Sequence, residues 1–176
     1  MGSQVRCGIT FQALTADGEL ALISQTTRFK AAIITGAVVA PDLVADYLNS
    51  RPEDPDSHMG YYEKGQGNMR GTPWGQRDRY LANSPIYLFD NIETPLLIGQ
   101  GGKDFTMQSN VQGNLLASDM TFAALKRLGK EVEYRIYEGE GHVIVRKPNV
   151  LDFWKRRLDF LAIHLSLKSD SKGFIK

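Results

Sequence analysis

Residues 95–104 read Pro95-Leu96-Leu97-Ile98-Gly99-Gln100-Gly101-Gly102-Lys103-Asp104. An apolar run opened by proline and closed by glycine is the pattern of a strand buried on both faces. The glycines after it let the backbone turn sharply and present the Asp104 carboxylate at the strand's end. Working outward, a helix is expected from about Asn110 to Leu128, with Leu115, Phe122, Leu125 and Leu128 among its apolar positions and Gly129 as its stop. Val132-Glu133-Tyr134-Arg135-Ile136-Tyr137 then alternates with period two, as a strand near a sheet edge does. Glu138-Gly139-Glu140-Gly141-His142 again sets one titratable side chain after flexible residues. A last helix is marked by Leu151, Trp154, Leu158, Leu161 and Leu165, recurring every three or four residues.

Toward the N-terminus the same alternation continues. Val5-Arg6-Cys7-Gly8-Ile9 reads as a strand, about Asp17 to Thr26 as a helix with Leu20, Leu22 and Ile23 as its apolar bulk, and Ala31-Ala32-Ile33-Ile34-Thr35 as a buried strand ending at Gly36. Strand, helix, strand makes a βαβ unit and a parallel sheet. Pro41-Asp42 opens a short helix from Ala40 to Tyr47. Residues 50–75 hold almost no aliphatic side chain and read as a polar surface excursion whose end Trp74 and Tyr80 pin to the body.

The expected fold class is therefore α/β: four strands in a mostly parallel sheet with helices on both faces. One unit spans residues 1–165, followed by a polar tail at 166–176, and no internal repeat is visible. Ligand sites in such sheets lie at the carboxyl ends of the strands, here in the loops beginning at Thr10, Gly99 and Glu138.

Composition narrows the function classes. The 176 residues are 42% hydrophobic, and 21 Lys+Arg against 20 Asp+Glu leave a formal net charge of +1. That balance argues against nucleic acid or an anionic membrane as partner. The one short basic run, Lys155-Arg156-Arg157, reads as a solvated helix face. Cys7 is the single cysteine, so no intrachain disulfide forms. The start carries no apolar signal-peptide core and no stretch is long enough for a membrane span, so a cytoplasmic location is expected. His58 and His164 stand far apart without Cys or carboxylate partners at metal spacing, and no metal or other cofactor is expected. Gly65-Gln66-Gly67 and Gly99-Gln100-Gly101-Gly102 lack the endings of phosphate-binding loops and read as turns.

An Asp and a His on neighbouring strand ends can meet, the carboxylate fixing the imidazole tautomer and stabilising the imidazolium. A lone loop histidine is more often a bystander, so the pair by itself leaves both readings open.

Asn83-Ser84-Pro85, Thr94-Pro95-Leu96-Leu97-Ile98, Gly101-Gly102-Lys103-Asp104, Ala124-Leu125-Lys126-Arg127-Leu128-Gly129-Lys130 and Tyr137-Glu138-Gly139-Glu140-Gly141-His142 together carry a resemblance. In this order they resemble the C-terminal part of the catalytic domain of prolyl oligopeptidase family serine peptidases, of the α/β-hydrolase superfamily. Arg28-Phe29-Lys30-Ala31-Ala32 is similar to the segment after that family's nucleophile helix. The resemblance implies acyl transfer on a peptide or small ester substrate, with Asp104 as triad acid and His142 as base. Counting back from Arg28-Phe29, the family's Gly-x-Ser-x-Gly-Gly elbow falls on Phe11-Gln12-Ala13-Leu14-Thr15-Ala16, so the nucleophile position is occupied by Ala13 and the Leu14 backbone amide is the one oxyanion donor. The family's further N-terminal strands, which complete the oxyanion hole, precede the region matched.

All the elbow glycines are replaced, by Phe11, Thr15 and Ala16, which is not the pattern of a single inactivating substitution. A shifted reading frame across these codons is one origin that sequencing the gene tests. Cys7 sits inside the first strand, and Thr10 and Thr15 read as strand or turn residues, so none is expected to replace the nucleophile. The expectation is a serine-peptidase relative with little or no turnover. The alternative is a non-catalytic pseudo-hydrolase acting in binding, or assembling as a homo-oligomer through an exposed sheet edge.

Overall fold

The alternating apolar runs resolve into a single sheet. The computed structural model describes residues 7–12, 16–36, 41–49, 55–104 and 113–166. Strands β1 (Cys7–Gln12), β2 (Phe29–Thr35), β3 (Leu96–Gly101) and β4 (Val132–Tyr137) lie in the order β1-β2-β3-β4, each pair parallel. The helices are α1 (Ala16–Gln25), α2 (Leu43–Leu48), α3 (Pro55–Glu63), α4 (Arg77–Ala82), α5 (Gly113–Arg127) and α6 (Lys147–His164), with a 3₁₀ turn over Pro85–Asn91. The expected α/β class, four strands and two-sided helix packing are what the chain adopts.

Alternate residues of the central strands build two cores. Ala32 and Ile34 of β2 with Leu96 and Ile98 of β3 pack against Leu20 and Ile23 of α1 and against Ala117 and Leu125 of α5. Ala31, Ile33 and Leu97 face the other way, onto Phe153 and Phe160 of α6. Burial on both faces is why β2 and β3 read as continuous apolar runs rather than alternating ones. β4 pairs only with β3 among the described residues and keeps its period-two pattern. The stop at Gly129 holds, with φ at +69° and the Gly129 and Lys130 amides closing the end of α5 onto Lys126 and Leu125.

Four expectations need correction. The first strand runs on to Gln12, so no loop begins at Thr10. Gly99 and Gly101 lie within β3 rather than in a turn, which starts only at Gly102. Their missing side chains serve close approach: a Cβ on Gly99 would collide with the Phe153 ring, and one on Gly101 with the Gly141 carbonyl. The final helix is present but its expected apolar stripe is not its buried face. Leu151, Trp154 and Leu158 are exposed, while Phe153 and Phe160, seven residues apart, pack on the sheet. Finally, residues 55–75 are not a polar loop. α3 brings Tyr62 against Leu43 and Tyr47 of α2, Met69 and Tyr80 of α4 in a second, aromatic core. Tyr80 is buried as expected, whereas Trp74 touches Tyr47 edge-on and is otherwise exposed. Among the described residues no helix is long and apolar enough to cross a membrane.

Candidate active site

Parallel pairing sets the ends of β3 and β4 side by side, with Gly101 opposite Tyr137. The loops leaving those ends carry Asp104 and His142. His142 Nδ1 lies 2.9 Å from Asp104 Oδ2, and Asp104 is fully buried while the His142 side chain keeps 21% of its surface exposed. An ionised carboxylate only accepts, so Nδ1 carries the proton, which leaves Nε2 as the basic nitrogen of the neutral ring.

Several residues hold this pair, and the sequence pattern did not single them out. Gln100 Nε2 donates to the same Asp104 Oδ2 at 2.8 Å, and its own Oε1 accepts from Ser118 Oγ of α5 at 2.9 Å. Gln100, fully buried, thus fixes the carboxylate from below. Gly36, at φ +60°, lets the His142 loop close over the end of β2: a Cβ there would stand 3.0 Å from His142 Cε1 and 3.1 Å from its carbonyl oxygen. The Gly101–Gly141 approach does the same from β3.

Glu140 clamps the loop beyond the histidine. Its carboxylate accepts from the Val145 and Arg146 amides at 3.0 and 3.1 Å and from Asn149 Nδ2 at 2.7 Å. The Val145 amide in the first place, with Asn149 and the Arg146 amide and charge, holds the Glu140 carboxyl below the usual carboxylate range against the cost of its burial. The signal that would have found these residues is weak in sequence, because their partners sit five to eighteen positions away.

A cavity of about 160 Å³ opens beside His142, bounded by Thr35, Gly99, Val143, Ile144, Phe153, Trp154 and Arg157 among others. Arg157 lies over the Trp154 ring at 4.6 Å and within 5.5 Å of the Phe153 ring centroid. Of the basic run read as a solvated face, Lys155 and Arg156 fit that reading, pairing with Asp159 and Asp152 one turn away. Arg157 does not fit it, for burial lowers its pKa.

The remaining residues considered for chemistry lie elsewhere. Cys7 and Thr10 belong to β1, as do Phe11 and Gln12, the first two elbow positions. Ala13, Leu14 and Thr15 fall outside the described residues, and Ala16 opens α1. His58 is buried in the aromatic core, where its Nε2 donates to the Asp46 carbonyl at 2.7 Å. His164 ends α6, stacked on Phe160 and 3.6 Å from Glu131.

The profile of the prolyl oligopeptidase family matches residues 19–168, and the chain belongs to that family. No curated protein matches the sequence. Among solved structures, a puromycin-hydrolysing peptidase of Mycobacterium tuberculosis is similar at 24% identity and TM-score 0.73, over 92% of this chain and 22% of that one. The acylaminoacyl peptidase of Pyrococcus horikoshii is similar at 22% identity and TM-score 0.68, over 98% of this chain and 26% of its own. The isopeptidase AtxE2 is similar at 21% identity and TM-score 0.65, over 93% and 22%. These likenesses show the α/β-hydrolase fold, and the chain spans about a quarter of the length of each.

Proposed function

We propose that this prolyl oligopeptidase family chain carries the acid and base of an acyl-transfer site for peptides or small esters, and that it binds such ligands with little or no turnover. The observation that carries the reading is the 2.9 Å contact between His142 Nδ1 and a fully buried Asp104 at the ends of adjacent parallel strands. In that arrangement Asp104 orients His142, and His142 Nε2 is the atom that takes a proton from an attacking hydroxyl and returns it to the leaving group. The hydroxyl is what the sequence lacks, since Ala13 stands at the family's serine position and an alanine methyl cannot attack a carbonyl. The oxyanion donor that we assign to this chain is the Leu14 amide, and loss of one donor from such a hole costs ~10²-fold or more in rate. On this reading residues 1–165 are the C-terminal portion of a peptidase catalytic domain.

A fluorophosphonate probe, which traps only activated hydroxyls, tests it together with a peptide anilide assay. No label on the chain and no release of aniline are expected, while short peptides shift the His142 ring resonances. Stoichiometric labelling of Thr10 or Thr15, or turnover comparable to a full-length relative, overturns the reading. Assembly through the sheet edge is a second reading, supported by β1 pairing on one side only among the described residues. A monomer in sedimentation at high concentration removes it.

A further inference from the structure

We propose that the cavity beside His142 is a carboxylate subsite, in which the Arg157 guanidinium, stacked on Trp154, holds a carboxylate of the bound peptide. The proposal rests on the reading of the Asp104–His142 pair as a peptide site and adds what that site selects.

Charge decides the ligand class. The cavity wall holds one formal cation, Arg157, a histidine, and no carboxylate. Each acid nearby is engaged elsewhere. Asp152 takes Arg156 and the Tyr137 hydroxyl, Asp159 takes Lys155, Asp104 takes His142 and Gln100, and Glu140 takes the loop amides and Asn149. Arg157 has no carboxylate partner among the described residues, and its sequence neighbours three and four positions away, Phe153, Trp154, Phe160 and Leu161, offer none.

A guanidinium kept half out of water with no counter-charge is unfavourable, as its lowered pKa records. A planar carboxylate bound to its fork supplies two charge-assisted hydrogen bonds in that setting. Stacking on Trp154 leaves the guanidinium edge free for in-plane bonding while holding its plane fixed. The cavity, at about 160 Å³, exceeds many times the ~10–15 Å³ that admits one water. It also reaches His142 itself, so a peptide anchored there by a carboxylate lies against the acid–base pair.

The test uses the full chain with Trp74→Phe, so that Trp154 is the sole indole. Three probes are titrated: N-acetyl-trialanine, its C-terminal amide, and N-acetyl-Ala-Glu-Ala amide. Trp154 emission and the His142 Cε1–H resonance are followed together. At least one carboxylate-bearing probe is expected to bind tenfold or more tighter than trialanine amide and to move both signals. Which of the two does so distinguishes a terminal from a side-chain carboxylate. Arg157→Gln is expected to abolish the preference and Arg157→Lys to keep part of it, with circular dichroism and melting checking that both variants fold.

Equal binding of the amide overturns the carboxylate subsite while leaving the peptide site standing. Absence of binding by all three overturns both. Carboxylate binding that moves Trp154 emission but not His142 separates the cavity from the pair and overturns the proposal as stated.

Discussion

The molecule contains two aspartate–histidine pairs, and they differ in almost everything except their chemistry. Asp104 and His142 sit at the ends of adjacent parallel strands, in direct contact at 2.9 Å, with the imidazole partly exposed beside a cavity. Asp46 and His58 lie inside the aromatic core between α2 and α3. There the nearest side-chain approach is 3.8 Å, the imidazole is 1% exposed, and Tyr62 donates to the Asp46 carboxylate. His58 uses its Nε2 proton on a backbone carbonyl, and its Nδ1 has no hydrogen-bond partner among the described residues. The difference teaches that such a pair becomes a candidate for catalysis through its position and access. A buried, enclosed pair organises packing, while one at a strand end can meet a substrate.

The sharpest way to break this comparison is to remove Asp46. Asp46→Ala is expected to cost about 3–5 kcal/mol of stability, because it leaves the Tyr62 hydroxyl buried without its acceptor and empties the centre of the aromatic core. Urea unfolding measures it, and a loss below about 1 kcal/mol would mean the second pair is not structural. His58→Ala follows, at about 2–3 kcal/mol, from the lost imidazole packing against Tyr62 and the orphaned Asp46 carbonyl. His142→Ala is expected to cost only about 1 kcal/mol, since Asp104 keeps Gln100 and the imidazole already meets solvent. Similar losses at the two histidines would erase the distinction between them.

Gly101→Ala tests the strand-end geometry. The added methyl meets the Gly141 carbonyl, so about 1–3 kcal/mol is expected, with the His142 ring resonances displaced in the same variant. An unmoved His142 would show that β3 does not set the histidine loop. The smallest effect concerns Glu140. Its carboxyl is held lower in the folded chain than in the unfolded one, whose ordinary value is 4.5. The stabilisation is therefore present above that value and is lost as pH falls through the folded value. Unfolding midpoints between pH 7 and pH 3 should fall more steeply for the native chain than for Glu140→Gln, and parallel slopes would remove Glu140 as the loop's clamp.

Much of the site was legible because strand ends are marked locally. Pro95 and the glycines after Ile98 announce a buried strand and a close passage, and Asp104 and His142 each follow such a segment at the same end of the sheet. Gln100 was not legible, since its role depends on Ser118 eighteen residues on and on the turn that brings Asp104 back over it. The function given to Gly99 and Gly101 was half right: glycine was needed there, for contact with Phe153 and Gly141 rather than for turning.

Residues 55–75 were read as polar because they lack aliphatic side chains, yet tyrosine rings with satisfied hydroxyls build a core as well as leucines do. α6 shows the boundary most clearly. Its periodicity dictates a helix with an apolar side, and both Leu151-Trp154-Leu158 and Phe153-Phe160 satisfy that period. Only the sheet chooses between them, because Gly99 leaves a hollow in β3 that a phenylalanine ring fills. That choice turns Trp154 and Arg157 toward the His142 cavity. Local pattern determined which segments are strands and helices and where the two titratable loops lie, since those depend on neighbours in the chain. Which helix face is buried, which arginine is left without a partner and which aspartate–histidine pair stays open were decided by the tertiary structure, since each depends on shape and charge brought together from distant segments.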